Sequence, residues 1–217
     1  MRAIKKGTEP NSLAQHRSSS SGDYIADYAN YKSMGELRAA LVAEQGGICC
    51  YCMKRIRATE TDMKVEHWAC QSDHSDKQLD YGNMLGACLG NEGSPKVAQH
   101  CDTRKANLSL SKNPANPADQ VESYISFGAD GKITASDTDF DQELNDVLNL
   151  NLPWMKTNRK SVLDGFLHTL KGKTGTLTEA YLKKMILHWD GGEGVLREEY
   201  CFVVVYWLRK KLKRIAK

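Results

Sequence analysis

Apolar positions along this chain change their spacing several times, and each change marks a segment. Residues 1–30 are polar and broken, with Glu9-Pro10 and a serine run from Ser18 to Ser21 closed by Gly22. Such a composition predicts little apolar burial, hence an arm that is either disordered or ordered by a partner. Ser33-Met34-Gly35-Glu36 then has capping-box spacing, and Leu37, Ala40 and Leu41 recur at helical intervals up to Gly46-Gly47. This predicts a helix that delivers the chain to Cys49. From Ile48 to about Val65 the pattern suits a short hairpin with Cys49 and Cys52 at its tip, and Val65-Glu66-His67-Trp68 reads as a strand end. Gly82, Gly86, Gly90, Asn91, Gly93 and Pro95 predict an irregular crossing, followed by a helix from Cys101 to about Leu110 that Asn113-Pro114 ends.

Asp130-Gly131, flanked by Tyr124-Ile125-Ser126-Phe127 and Lys132-Ile133-Thr134, predicts a second hairpin. Beyond it the spacing becomes helical. Phe140, Leu144, Val147 and Leu148 share one face, and Val162, Leu163, Phe166, Leu167 and Leu170 share another. Thr176-Leu177-Thr178-Glu179 has capping-box spacing before Leu182, Met185, Ile186 and Trp189, with Gly191-Gly192 as the stop. Tyr200 to Leu208 is continuously apolar, which periodicity cannot divide between helix and strand; helix is the expectation. The expected class is α+β, mainly helical, with an arm at 1–30, a compact module at 31–115 and a hairpin plus helical region at 116–217.

Length and charge add less. At 217 residues the chain suits one sizeable domain or a small module backed by a helical layer. No stretch approaches the ~20 apolar residues of a membrane helix and no signal-peptide core follows the first residues, so a cytoplasmic protein is expected. The net charge is only +3. Yet Arg209, Lys210, Lys211, Lys213, Arg214 and Lys217 crowd the last nine positions, either as a solvated helix end or as phosphate contacts.

The chemistry lies between residues 49 and 105. Cys49-Cys50-Tyr51-Cys52 holds a C-x-x-C, a spacing that lets two thiolates of one turn reach a zinc ion. A thioredoxin-type redox pair is the rival, but that motif opens a helix after a buried strand, and this one precedes a polar hairpin. Cys88 and Cys101 are the downstream partners for Zn²⁺, with His100 as a substitute for either; Cys50, Cys70 and Cys201 are left as buried free thiols. Between and beyond these cysteines come Glu66-His67, Asn83, and Asp102 with Lys105 one turn on. Phosphodiester hydrolysis needs a base for water and a hard divalent ion for the charge on phosphate, which histidine and carboxylates respectively supply. Lys105 has a phosphate contact or a solvated helix face as its alternatives, and Trp68 and Tyr81 have base stacking or packing.

Cys49-x-x-Cys52, Glu66-His67, Asn83, Cys88 and Cys101-Asp102-Thr103-Arg104-Lys105, in that order, resemble the HNH, or ββα-metal, nuclease pattern. With Met1-Arg2-Ala3-Ile4-Lys5-Lys6-Gly7, Glu9-Pro10, Leu79-Asp80-Tyr81-Gly82-Asn83-Met84-Leu85 and His100 through Asn107, the first half resembles the HNH proteins of retron-associated and Septu-type anti-phage systems, the PtuB-like family. The resemblance implies a zinc-braced HNH module at 31–115 with His67 as general base and Asn83 orienting it or its loop. It implies Glu66 and Asp102 on a catalytic Mg²⁺ or Mn²⁺, with Asp102 standing where many HNH proteins have Asn or His. It also implies an endonuclease effector acting on nucleic acid, DNA ahead of tRNA or other structured RNA. An ABC-type, PtuA-like ATPase partner is implied too, and in retron systems a reverse transcriptase with its RNA–DNA product. The N-terminal arm is the expected ATPase contact. A zinc-stabilised nucleic-acid-binding or adaptor module without turnover is the competing expectation.

Overall fold

The glycine pair at 46–47 sets the first turn of the architecture. The first helix, α1 (Asn11–Ser18), is followed by α2 (Met34–Gln45), which buries Leu37, Leu41 and Gln45 and ends at Gly46 with φ 65°. Gly47, at φ 71°, keeps the chain turning. Only glycine adopts two successive positive φ values without strain. Ser33 occupies the N-cap of α2 but its hydroxyl makes no capping bond. In the computed structural model, residues 1–22, 24–171, 177–192 and 195–215 are described.

Past Gly47 the chain forms a one-bridge hairpin, Ile48 against Arg55, with Cys49 and Cys52 at its tip. The Cys49 N–H donates to the Lys54 carbonyl at 2.8 Å, and the Met53 N–H to the Cys49 carbonyl at 3.1 Å. The buried Gln45 amide ties this turn to Gly86, forty-one residues further along the chain. It donates to the carbonyls of Ile48 (2.9 Å) and Gly86 (2.8 Å) and accepts from the Gly86 N–H (2.7 Å).

Strand β1 (Met63–His67) pairs antiparallel with β2 (Met84–Cys88), with Glu66 opposite Leu85 and His67 opposite Met84. The second strand corrects the expectation of an irregular crossing there. Met84-Leu85-Gly86-Ala87-Cys88 is buried at every position. A strand covered on both faces shows no two-residue alternation, so nothing in the pattern announces it. Helix α3 (Cys101–Lys105) is shorter than the helix expected to Leu110, because Ala106 turns to φ 49°. Leu108 is then exposed and Leu110 buried, so they do not share a helical face.

The first thirty residues are not a free arm. Met1, Ile4, Leu13 and Ala26 are buried in the main core, and the Ile4 N–H donates to the Pro114 carbonyl at 2.8 Å. Lys6 bonds Glu44 and the Met84 carbonyl, and Arg2 pairs with Asp190 at 2.6 Å. A few well-spaced apolar side chains, each worth ~1.5–3 kcal/mol on burial, suffice where ion pairs hold the polar segment between them. The composition alone conceals this. Residues 17–22 and Tyr24-Ile25 remain exposed.

The second half follows its pattern closely. Helix α4 (Val121–Tyr124) runs into β3 (Ile125–Phe127), which pairs with β4 (Ile133–Ala135) across the Asp130-Gly131 turn. Helix α5 (Thr138–Gln142) is capped by the Asp137 carboxylate and continues as a π turn, Glu143–Val147. Then come α6 (Pro153–Lys171), α7 (Glu179–Asp190) and α8 (Cys201–Ile215). Thr178 caps α7 by accepting from the Tyr181 N–H at 3.3 Å, whereas the capping box expected from Thr176 begins outside the described residues. The ambiguous run 200–208 is helix, burying Cys201 through Val205 and Leu208. Of the basic cluster at the end of the chain, Lys217 lies outside the described residues. Phe166, Leu182, Val204 and Leu208 join α6, α7 and α8 in a second small core. The class is α+β, and among the described residues no helix is long and apolar enough to cross a membrane.

Candidate functional site

Four cysteines far apart in sequence converge. Cys49 and Cys52 come from the hairpin tip, Cys88 ends β2 and Cys101 opens α3; their sulfurs all lie within 4.8 Å of one another. The Cys49 and Cys101 sulfurs are 3.9 Å apart and those of Cys52 and Cys88 3.7 Å. A tetrahedron of sulfurs ~2.3 Å from zinc has edges of about 3.8 Å, so the set fits that ion, and it is far wider than a disulfide. Burial acts to raise the Cys49 thiol, but hydrogen bonds from Cys101, Cys50, Cys52 and Cys88 outweigh it and hold the group well below the ordinary thiol range. Burial drives Cys101 the other way, well above that range. Cys49 is thus favoured as a thiolate beside Cys101, which burial favours as a thiol. The redox alternative for Cys49 and Cys52 is disfavoured by this four-sulfur geometry.

His100 stands beside the four sulfurs, its Nδ1 3.1 Å from the Cys101 Sγ and 4.0 Å from that of Cys88, with its ring edge-on to Trp154. With all four cysteines in place it is a neighbour that can donate to a thiolate rather than a needed ligand. Buried Arg159 also faces the cluster electrostatically, fixed by bonds to the carbonyls of Gly131 and Leu150; burial lowers its pKa to about 10. The Met1 ammonium is lowered to about 6 by burial and by Arg159, and Cys52, Cys49 and Cys101 oppose that shift. Arg159 therefore brings one cation into electrostatic reach of a cluster that would carry surplus negative charge when metallated.

On the other side of α3 lies a second polar group. Adjacent strand positions point to opposite faces, and the structure keeps that rule. Glu66 turns towards α3, where its Oε1 lies 2.9 Å from the Lys105 Nζ and accepts from the Tyr51 hydroxyl at 2.7 Å. Burial raises the Glu66 carboxyl well above its usual range, and the neighbouring Asp102 carboxyl adds to this while Lys105 opposes it. Lys105 is fully buried, so it is neither a solvated helix residue nor a free phosphate contact. Its ammonium also donates to the His67 carbonyl at 3.3 Å.

His67 ends β1 facing the loop that comes after it. Its Nε2 lies 3.0 Å from the Gln78 carbonyl, which can only accept, so Nε2 carries the proton and the Nδ1 lone pair is the basic site. The Gln71 amide donates to that lone pair at 2.8 Å, and the Tyr28 ring lies edge-on at 4.6 Å. Burial lowers the His67 pKa, which favours the neutral imidazole; the Gln78 carbonyl and Asp102 partly oppose this. Asn83 does not touch the ring. It staples the loop instead, accepting from the Ala69 N–H (2.8 Å) and donating to the carbonyls of Ala69 (3.0 Å) and Lys77 (3.2 Å).

Sequence reasoning missed Gln71, Gln78 and Tyr28, none of which sits in a recognisable spacing, and gave no role to Tyr51 inside the C-x-x-C. Gln78 acts through its backbone, which no side-chain pattern reports. Trp68 and Tyr81 are packing residues: the Trp68 indole donates to the Lys112 carbonyl at 3.3 Å, and the Tyr81 hydroxyl to Glu44 at 2.8 Å. Among the described residues, the cysteines alone form a group of three or more His, Cys, Asp or Glu ligands close enough to share an ion. Glu66 and Asp102 make a pair. No protein-family model matches the chain, and no curated protein matches it.

Proposed function

We propose that the chain is a metal-dependent endonuclease of the HNH type that hydrolyses phosphodiester bonds, with His67 as general base. The observation that carries this reading is the His67 ring. Burial favours its neutral form, the Gln78 carbonyl fixes the Nε2–H tautomer, and the ring lies within the electrostatic reach of Asp102. A base so held can take a proton from water at Nδ1 once Gln71 moves aside. Two β-strands, a short helix and the paired carboxyls are the parts an HNH module needs, and their order in the chain is that of the family it resembles.

Glu66 and Asp102 are the residues that would hold Mg²⁺ or Mn²⁺. A buried and a half-buried carboxyl in contact offer the oxygen donors a hard ion prefers when water and substrate phosphate fill its other positions. When bound, the ion would take up charge on the phosphate and leaving oxygen. Lys105 keeps Glu66 oriented towards α3, Asn83 keeps the His67 loop in place, and a zinc held by the four cysteines would keep α3 against the hairpin.

The resemblance also supports control by an ABC-type ATPase and a defence role. Because residues 1–16 are largely packed, the exposed residues 17–22, Tyr24 and Ile25 are the part of the N-terminal segment left for such a contact. One observation favours the adaptor alternative: Glu66 is already neutralised by Lys105 and Tyr51 without any ion. Labelled DNA and total tRNA, incubated with the protein and its ATPase partner with and without Mg²⁺, separate the readings. Mg²⁺-dependent cleavage that His67→Ala abolishes while zinc content persists supports the nuclease; identical behaviour of His67→Ala and parent in Mg²⁺ refutes it.

A further inference from the structure

The basic end of the chain has a place in the fold that the proposed chemistry does not use. Along α8, Tyr206, Lys210 and Lys213 fall at i, i+4 and i+7, one face of the helix. With Arg209 and Ser126 of β3 they line a groove of about 680 Å³. Its floor is aromatic: the half-buried Tyr206 ring packs edge-on to Phe127 at 5.7 Å, and Phe127 in turn to Phe202 at 5.8 Å. Lys210 lies 5.9 Å from the Tyr206 ring centroid. The groove holds one acid, Glu122, and Arg2 and Arg209 share its carboxylate at 3.6 and 2.6 Å. Lys210 and Lys213 are exposed and have no acidic partner among the described residues. The groove therefore presents surplus positive charge above a fixed aromatic ring.

We propose that this groove binds a single strand of nucleic acid, with Lys210 and Lys213 on its phosphates and an unstacked base on Tyr206. Phosphate is the chemistry that two unpaired ammonium groups select, and a base supplies the flat apolar face that Tyr206 lacks on its open side. A duplex satisfies the lysines but keeps its bases within its own stack, so it leaves the ring unused. The groove extends the nuclease reading by placing a strand-binding surface on the helical half, away from the cysteine hairpin. It does not require that the chain cleave what it binds.

Fluorescence anisotropy of a fluorescein-labelled oligothymidylate of about twenty nucleotides tests this, using the zinc-loaded full chain without added Mg²⁺ so that turnover plays no part. Lys210→Ala/Lys213→Ala should weaken binding about tenfold and flatten the log–log salt dependence by about 1.4, two single-strand phosphate contacts at ~0.7 each. Tyr206→Leu, which keeps apolar packing against Phe127, should weaken binding at least about fivefold with the salt slope unchanged. Lys210→Arg/Lys213→Arg should restore the parental affinity. The proposal is overturned if the double alanine variant binds within twofold of the parent, or if a duplex of equal length binds as tightly and Tyr206→Leu changes nothing. Because no Mg²⁺ is added, failure here leaves the nuclease reading to its own cleavage assay.

Discussion

Replacing Lys105 by methionine tests whether the centre of the site is a buried ion pair. Its ammonium is inaccessible and lies 2.9 Å from a Glu66 carboxylate whose side chain is only 3 % exposed. Removing one member of such a pair costs ~3–5 kcal/mol, because the other charge stays behind without compensation. Glu66 has a partial escape: it can take up a proton, and burial together with Asp102 already pushes its carboxyl up. About 2–4 kcal/mol is therefore expected at neutral pH. The pH dependence fixes the sign. A carboxyl whose folded pKa is raised contributes stability that is present below its unfolded pKa and lost as pH rises through the folded value. Lys105→Met should thus approach the parent on acidification and fall further behind above neutrality, by up to ~1.4 kcal/mol per pH unit while Glu66 titrates.

Glu66→Leu/Lys105→Met removes both charges. It should cost no more than about 2 kcal/mol, chiefly for the Tyr51 hydroxyl left without its acceptor. Urea unfolding of the zinc-loaded protein, followed by fluorescence of the four tryptophans, measures the differences for Lys105→Met, Glu66→Leu and the double variant. If Lys105→Met costs under about 1 kcal/mol at every pH, or if the double variant costs the sum of the singles, Glu66 and Lys105 are not a coupled buried pair.

Other expectations rest on the same geometry. Elemental analysis should find one zinc per chain, lost in Cys88→Ser and kept in His100→Ala, since the four sulfurs close a tetrahedron without the imidazole. Asn83→Ala orphans the Ala69 N–H and frees the loop between residues 69 and 77; a loss of ~1–3 kcal/mol and faster amide exchange at Ala69 are expected, and unchanged exchange would contradict the staple. If the chain cleaves nucleic acid, the acid limb of its pH–rate profile should lie below the usual histidine range, because burial lowers the His67 pKa and only the neutral ring is a base; a limb above about 6.5 would contradict the assignment. Gln71→Ala, which uncovers the Nδ1 lone pair, should speed acylation of His67 by diethyl pyrocarbonate about two- to tenfold as read by mass spectrometry.

How far the sequence discloses this arrangement depends on whether a residue acts by its type or by its surroundings. The α2 stop at Gly46-Gly47, the Asp130-Gly131 hairpin and the helical stripes of α5 to α7 rest on local chemistry, and they appear where the pattern puts them. The cysteine set is legible because its residue type is scarce and its first pair is tightly spaced. Strand β2 is not, since full burial removes the alternation that marks a strand. Lys105 escapes for a related reason: its ionic partner lies on another element, and no spacing links position 105 to 66. The N-terminal segment shows the opposite failure, where composition argues for freedom and four buried apolar residues with two ion pairs settle the matter. Gln71 and Gln78 matter only because a loop brings them to His67, which the sequence does not disclose.

Helix α3 joins the two polar groups, and its length makes them depend on each other. Five residues cannot sustain a helix on their own, since nucleation costs more than one turn of hydrogen bonds returns. What fixes α3 is therefore at its ends. Cys101 anchors the start in the sulfur cluster, and Lys105 anchors the finish on Glu66. Asp102 lies between these anchors, one residue from a cysteine of the cluster and in contact with the Glu66 carboxyl. The cysteine cluster and the carboxyl pair are thus not independent sites that happen to be close. Disturbing the sulfur cluster would release one end of a helix whose other end rests on the Lys105 contacts with Glu66 and the His67 carbonyl, and the carboxyl facing Glu66 would move with it. The C-x-x-C hairpin therefore acts on the carboxyl pair at one remove, by deciding where Asp102 stands.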